Sequence, residues 1–211
     1  MRRLIGLMIG ALALAATGPG SAQTPPKILS IGQDVKPGDH VKTGAGEQRA
    51  LLSPDGANLM VGPNADVSLD KFEYDRAAKR GTFALTLAAG TLRFGGGQIV
   101  RSDDVTVAAG TSQVTIHAAS AAIEVSPQGA EIRMLTGERV AVTAAGGTQT
   151  MTQPDSVVYV PANQPPTAPA ARSASTRPAG FGGTASDLDN MTRTTQRIIE
   201  GTQAPRVGNF R

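Results

Sequence analysis

The sequence predicts an all-β domain over residues 31–160, either an antiparallel sandwich of jelly-roll type or a short β-solenoid, followed by a Pro-, Ala-, Ser- and Thr-rich tail. Three observations carry this. Apolar residues recur with a period of two, turn signals separate the apolar pairs at intervals of roughly ten residues, and no helix-length amphipathic stretch interrupts the region. With aromatics at only 3 % and hydrophobic residues at 40 %, the core must be built from Val, Ile, Leu and Ala. A chain of 211 residues fits one folded domain with a tail.

The N-terminus comes first in the chain. Arg2 and Arg3 precede a 13-residue apolar run over residues 4–16, Gly18-Pro19-Gly20 breaks any helix, and Gly20-Ser21-Ala22 supplies small residues before Gln23. This order reads as a signal peptide, residues 1–22, cleaved after Ala22. The apolar run is shorter than the about 20 residues a membrane-spanning helix needs. The expected mature chain is therefore periplasmic or secreted, with no membrane span. Removing Arg2 and Arg3 lowers Lys plus Arg from 20 to 18 against 17 Asp plus Glu, and the net charge from +3 to +1. Lys71, Arg76, Lys79 and Arg80 are interleaved with Asp70, Glu73 and Asp75, which describes a solvated loop. Without a basic patch or a ladder of aromatics, nucleic acid is not an expected partner.

Within residues 31–160 the strand phases follow from alternation. Phe83, Leu85 and Leu87 point one way, then Leu92 and Phe94, Val105 and Val107, Val114 and Ile116, Ile123 and Val125, Ile132 and Met134, Val140 and Val142, and Val158 and Val160. Turns fall between them at Ala89-Gly90, Gly95-Gly96-Gly97, Ala108-Ala109-Gly110, Pro127-Gln128-Gly129, Thr136-Gly137 and Gly146-Gly147. Asp55-Gly56, set between Leu51-Leu52 and Leu59-Met60, is a strong hairpin signal. Asp39 and Asp55 next to glycine suit turns, where a short carboxylate accepts from nearby amides.

The alternative reading of Asp39, Asp55 and Asp66 as a metal or acid–base set is less favoured for the same reason, and Asp103-Asp104 reads as a solvent-facing turn. Cysteine is absent and only His40 and His117 are present, which excludes thiolate and multi-histidine metal chemistry and a cysteine nucleophile. His40 reads as a surface residue, and His117 as pointing away from the core. There is no nucleophile elbow, phosphate-binding loop or zinc-protease helix motif. Gly95-Gly96-Gly97 lies between strands, where no helix follows to hold a phosphate. The sequence thus assigns no catalytic, cofactor or metal residue.

The run from Val35 through Gly38-Asp39 to Thr43-Gly44, then Ala50-Leu51-Leu52, Pro54-Asp55-Gly56 and Leu59 through Pro63, resembles the FecR domain. Leu85 to Gly90 with Leu92, and Met134-Leu135-Thr136-Gly137 with Val140 and Val142, extend the resemblance to about residues 31–160. The family's motif positions here are Gly38, Asp39, Thr43, Gly44, Asp55, Gly56, Gly90 and Gly137, all of them turn and strand-end positions. The resemblance implies an exported domain, found in iron-dicitrate regulators and in stand-alone secreted proteins. Where other members carry Arg-Gly-Thr, this chain reads Ile116-His117-Ala118-Ala119-Ser120. Only a signal peptide precedes the domain, so the expected subtype is the stand-alone one.

The expected function is a non-enzymatic binding or scaffold module of the bacterial cell envelope, its partner an envelope protein or glycan. A second reading is a soluble component of envelope signalling or iron-uptake regulation acting through a membrane partner, which a neighbouring gene for a TonB-dependent receptor or a sigma factor would favour. A cell-wall carbohydrate enzyme is disfavoured, because Phe72, Tyr74, Phe83, Phe94 and Tyr159 are too few for sugar platforms and no carboxylate pair is evident.

After the domain, residues 161–184 read as a disordered linker rich in Pro and Gly. Residues 185–201 read as a short amphipathic helix that starts at Ser186 with Asp189 three residues on, with Leu188, Met191, Ile198 and Ile199 on one face. Residues 202–211 read as a disordered tail. The helix either presents its apolar face to a partner groove or docks on the protein's own sheet.

Overall fold

A computed structural model describes residues 26–171. The expected signal peptide, the helix over 185–201 and the final tail lie outside these residues. Twelve strands form one mixed sheet among the described residues. They are β1 (Lys27–Ser30), β2 (His40–Lys42), β3 (Arg49–Leu52), β4 (Ala57–Val61), β5 (Asp66–Asp75), β6 (Arg80–Gly96), β7 (Val105–Ala109), β8 (Ser112–Ser126), β9 (Gly129–Ala144), β10 (Gly147–Met151), β11 (Ser156–Pro161) and β12 (Ala170–Ala171). A single helical turn, α1 (Ile99–Ser102), separates β6 from β7.

The three long strands β6, β8 and β9 each bend midway, and their two halves pair with different neighbours. In the first layer the order is β1-β3-β4-β6-β8-β9-β11-β12, using residues 90–96 of β6, 119–126 of β8 and 129–137 of β9. In the second layer the order is β2-β5-β6-β7-β8-β9-β10, using the other halves. The sheet folds over itself, and one hydrophobic cluster fills the space between the layers. Leu59, Phe94, Ile123 and Ile132 come from the first layer, Phe83, Leu85, Val107, Ile116 and Val142 from the second, and all are at most 1 % exposed. Every apolar pair expected from the alternation is buried.

The bends have local causes. Gly90 holds φ +83°, and a Cβ there would strike Ala65; Gly137 holds φ +110°, and a Cβ there would strike the Ala118 carbonyl and Ala119. Both positions need glycine, because positive φ and close backbone approach penalise any side chain. Ala118 itself sits at φ +44°, so β8 and β9 turn the corner together.

The sheet is mixed where antiparallel pairing was expected. β1 runs parallel to β3, and β7 runs parallel to β6. Parallel neighbours need a crossover rather than a tight turn. Here the crossover is supplied by the far half of β6 and by α1, which carries Ile99 and Val100 into the core.

The chain also stays on the sheet beyond residue 160, where a linker was expected. The Thr167 N–H donates to the Tyr159 carbonyl at 2.8 Å, and β12 pairs with Ser156 and Val157 of β11. Pro166 is buried, with Pro165 and Pro166 both lying against Gly147 of β10, so proline here caps a sheet edge without needing to donate.

Candidate functional site

The eight motif positions lie in turns and corners. Gly38 and Asp39 form the turn before β2: the Asp39 carboxylate accepts from the Lys36 N–H at 2.8 Å, and the Gly38 N–H donates to the Leu69 carbonyl at 2.7 Å. Thr43 is buried, donates through Oγ1 to the Gly62 carbonyl at 2.6 Å and accepts from the Ala65 N–H at 2.9 Å. Ala65 is also what Gly90 packs against, so Thr43 and Gly90 meet through it. The Gly44 carbonyl accepts from the Asn64 N–H in the same joint. Asp55 and Gly56 make the β3–β4 hairpin, and Gly137 lies apart at the β8–β9 corner.

Asp39, Asp55 and Asp66 are not brought together. Asp55 is 4 % exposed and is held by the Ser53 hydroxyl and by the Ala57 and Ile99 N–H groups. Asp66 contacts His40 and Lys42 at 3.1 Å each, and its carboxyl is held below the usual range, first by the His40 hydrogen bond. Asp103 takes a bidentate contact from Arg80 and also accepts from the Gly81 N–H, while Asp104 meets His117 at 2.8 Å and Arg139 at 3.2 Å. Among the described residues no group of three or more His, Cys, Asp or Glu could hold a metal ion.

What sequence reading missed is the outer face of the first layer. In the second layer, the residues facing away from the core include Ser68, Thr86, Thr106, Thr115 and Thr143, which are small, polar and partly or fully exposed. The first layer is different: its outer face is buried at Ala50, Met60, Ala122, Arg133 and Val157, while Arg93 and Glu124 are half-buried and Thr136 is exposed. Ala50, Met60 and Ala122 form a cluster separate from the main core, joined by Leu135, and Val157 with Tyr159 forms another. Register places Ala50, Met60, Arg93, Ala122, Arg133 and Val157 in one row across β3, β4, β6, β8, β9 and β11. The adjacent row runs Thr91, Glu124, Glu131, Tyr159.

The row is apolar at its ends and cationic at its centre, where Arg93 and Arg133 flank Ala122. Burial lowers the Arg93 guanidinium below its ordinary range, and the nearby positive charge of Arg133 adds to that. Glu124, Glu131 and Arg133 are all engaged in polar or electrostatic interactions. Among the described residues, Arg93 Nη1 and Asn58 Oδ1 are buried without a hydrogen-bond partner. A cleft of about 480 Å³ opens beside them, lined by Asn58, Met60, Arg93, Gly95, Ser120 and Thr136 among others. It offers a cation, hydroxyls and an amide around a thioether, with no aromatic ring in its lining and no nucleophile–base pair. That set suits recognition of a polypeptide surface bearing carboxylates and apolar side chains. A second cleft, of about 420 Å³ at Thr150, Gln153, Ser156 and Ala170, has no charged lining.

Residues 39–138 match the family model described as FecR protein. Over these residues the chain is similar to FecR domains. The FecR match takes in Met60, Arg93, Ala122, Glu124, Glu131 and Arg133, whereas Val157 and Tyr159, which extend the same face, lie beyond it. No curated protein matches the chain with significance. Two crystal structures of a protein from Parabacteroides distasonis ATCC 8503 described as a "putative anti-sigma factor" share the fold, at TM-scores of 0.53 and 0.52 and 15 % sequence identity. Each likeness covers 64 % of this chain and 61 % of the other, so the chain matches less than two thirds of that protein's length. Among the described residues, no helix is long and apolar enough to cross a membrane.

Proposed function

We propose that this protein is an exported, non-enzymatic FecR-domain module of the bacterial cell envelope that takes part in envelope signalling by binding a protein partner. The observation that carries the reading is the outer face of the first layer, where Met60 and Ala122 lie in one row with Arg93 and Arg133. A sheet face that only needed solvation would carry short polar residues, as the second layer does. The FecR match and the fold shared with the protein described as an anti-sigma factor favour signalling over a purely structural scaffold. The charged, apolar and small-residue order of residues 1–22 supports export. A protein partner is favoured over a glycan, because the cleft lining has no aromatic ring to stack on a sugar.

Photo-crosslinking in intact cells tests the reading. A photoreactive residue at Ser120 or Thr136 should give one discrete crosslinked species with an envelope protein, and one at Thr115 on the second layer should give none. Equal crosslinking from both faces, or none from either, rejects this face as the recognition surface. Intact-mass analysis of the same protein tests export: a mature chain beginning at Gln23 is expected, and retention of Met1 rejects it.

A further inference from the structure

One row on the outer face of the first layer is buried more completely than a free surface allows, although Arg93 within it and Glu124 beside it are half-buried. Met60 is 1 % exposed, Ala122 2 %, Val157 1 % and Arg133 6 %, although none belongs to the core between the layers. Apolar side chains on the outward side of a sheet, with the unpartnered Arg93 Nη1 among them, require a cover that is apolar and carries an acceptor at its margin.

The chain's own path brings such a cover to the right place. β12 lays Ala170 against Val157, at the β11 edge of this same row. The 40 residues after Ala171 therefore start beside the face. Residues 172–185, extended, reach about 46 Å at ~3.3 Å per residue, more than the layer's width. The sequence predicts a helix immediately after them, and 16 helical residues over 186–201 span about 24 Å. Five inter-strand steps, from β12 through β11, β9, β8 and β6 to β4, also span about 24 Å. At 100° per residue, Leu188, Met191, Ile198 and Ile199 fall within one stripe, and Asp187 borders it.

We propose that residues 186–201 of this chain dock in cis across the outer face of the first layer, setting the Leu188, Met191, Ile198 and Ile199 stripe over Met60, Ala122 and Val157 with Asp187 toward Arg93. This deepens the proposed function and rests on its choice of face: a signalling partner would have to displace the chain's own segment or recognise the two together.

The absence of cysteine makes a single-site label clean. Full-length mature protein carrying Asn190→Cys with a nitroxide, on the side of the predicted helix away from the stripe, should strip most of the intensity from the amide resonances of Met60, Arg93, Ala122 and Arg133. Those of Thr86, Thr115 and Ala141, on the second layer, should keep theirs. Adding Ile198→Ser and Ile199→Ser should restore the lost intensity. No broadening, equal broadening on both layers, or broadening that survives the double serine change overturns the proposal. Broadening seen only when spin-carrying protein without isotope label is mixed with isotope-labelled protein assigns the face to a second copy and overturns it too. The measurement uses isolated protein, so a docked segment without a crosslinked partner rejects the functional reading alone, and a crosslinked partner without docking rejects this one alone.

Discussion

The rings of Phe83 and Phe94 meet edge to face at 5.8 Å, although both residues lie on β6 and are 11 positions apart. On a straight strand that separation would put them about 36 Å apart. Their contact is the direct signature of a strand folded across both layers. Phe72 joins at 5.1 Å from Phe83, so β5 and both halves of β6 share one aromatic cluster in a chain with few rings.

Truncating this cluster should be costly. Phe94→Ala should lose about 3–5 kcal/mol and Leu85→Ala or Val140→Ala roughly 2–4 kcal/mol, because each side chain is at most 1 % exposed and closely surrounded. Ile28→Ala, at 53 % exposure on β1, should change stability by less than about 0.5 kcal/mol. Denaturant midpoints of the four variants check this. Near-wild-type stability for Leu85→Ala and Val140→Ala would contradict the strand phases.

A second joint ties the β3–β4 hairpin to the crossover. Asp55 accepts the Ile99 N–H at 3.1 Å across 44 residues, and its carbonyl accepts the Gln98 N–H at 3.0 Å. Asp55→Ala should cost roughly 1–3 kcal/mol, since it orphans the buried Ile99 N–H, while the Ala57 N–H keeps the Ser53 hydroxyl oxygen at 2.9 Å. Hydrogen exchange at Ile99 should accelerate in that variant more than exchange at Val142. Equal acceleration at both would show general loosening instead of a broken joint.

Much of this was legible in the sequence, and the exceptions have physical reasons. The inward positions of β6 change from odd (Phe83, Leu85, Leu87) to even (Leu92, Phe94), and this change of phase marks the corner at Gly90. The same change separates Val114 and Ile116 from Ala121 and Ile123 on β8, at Ala118. The Asp55-Gly56 hairpin is local turn chemistry and therefore readable. The parallel β6–β7 pairing is not local: it depends on the strand crossing layers, which a period of two does not encode. The candidate face was missed because alternation was read for one buried side only. The unbroken run Val157-Val158-Tyr159-Val160 was its available signal, because a strand buried on both faces loses its polar positions.

Acid should weaken the fold through three surface carboxylates. Asp103 is held below its ordinary 3.8 chiefly by the Arg80 hydrogen bond and then by the Gly81 N–H. Glu47 is held below its ordinary 4.5 by the Gly44 N–H and then by Arg49, and Asp66 is held down chiefly by His40. A carboxyl whose pKa is lower folded than unfolded contributes stability above the unfolded value and loses it as pH falls through the folded one. Stability should thus be insensitive to these groups near neutrality and fall below about pH 4. Urea midpoints between neutrality and about pH 2.5 should decline less steeply in Asp103→Asn than in the parent. An unchanged acid slope would show that the Arg80–Asp103 contact does not persist in solution.

The sharpest test of the folded-over sheet lies in two glycines that share positive φ and little else. Gly146, at φ +76°, sits in the β9–β10 hairpin with nothing within 4 Å of where a Cβ would be. Gly146→Ala adds left-handed strain alone and should cost about 1 kcal/mol. Gly137, at φ +110°, sits where β9 turns the corner, and its added Cβ would enter the Ala118 carbonyl and the Ala119 backbone. Neither obstacle is a flexible side-chain end, so β8 and β9 would have to part at the bulge between Ser120 and Ala121. Gly137→Ala should therefore cost upwards of about 3 kcal/mol and disturb both layers at once. In two-dimensional amide spectra, Gly146→Ala should shift resonances only around the hairpin, while Gly137→Ala should shift Ile116 in the second layer together with Ile123 in the first. If both variants behaved alike, the corner at Gly137 would not be the joint on which the two layers depend, and the Phe83–Phe94 contact would have to be held by β6 alone.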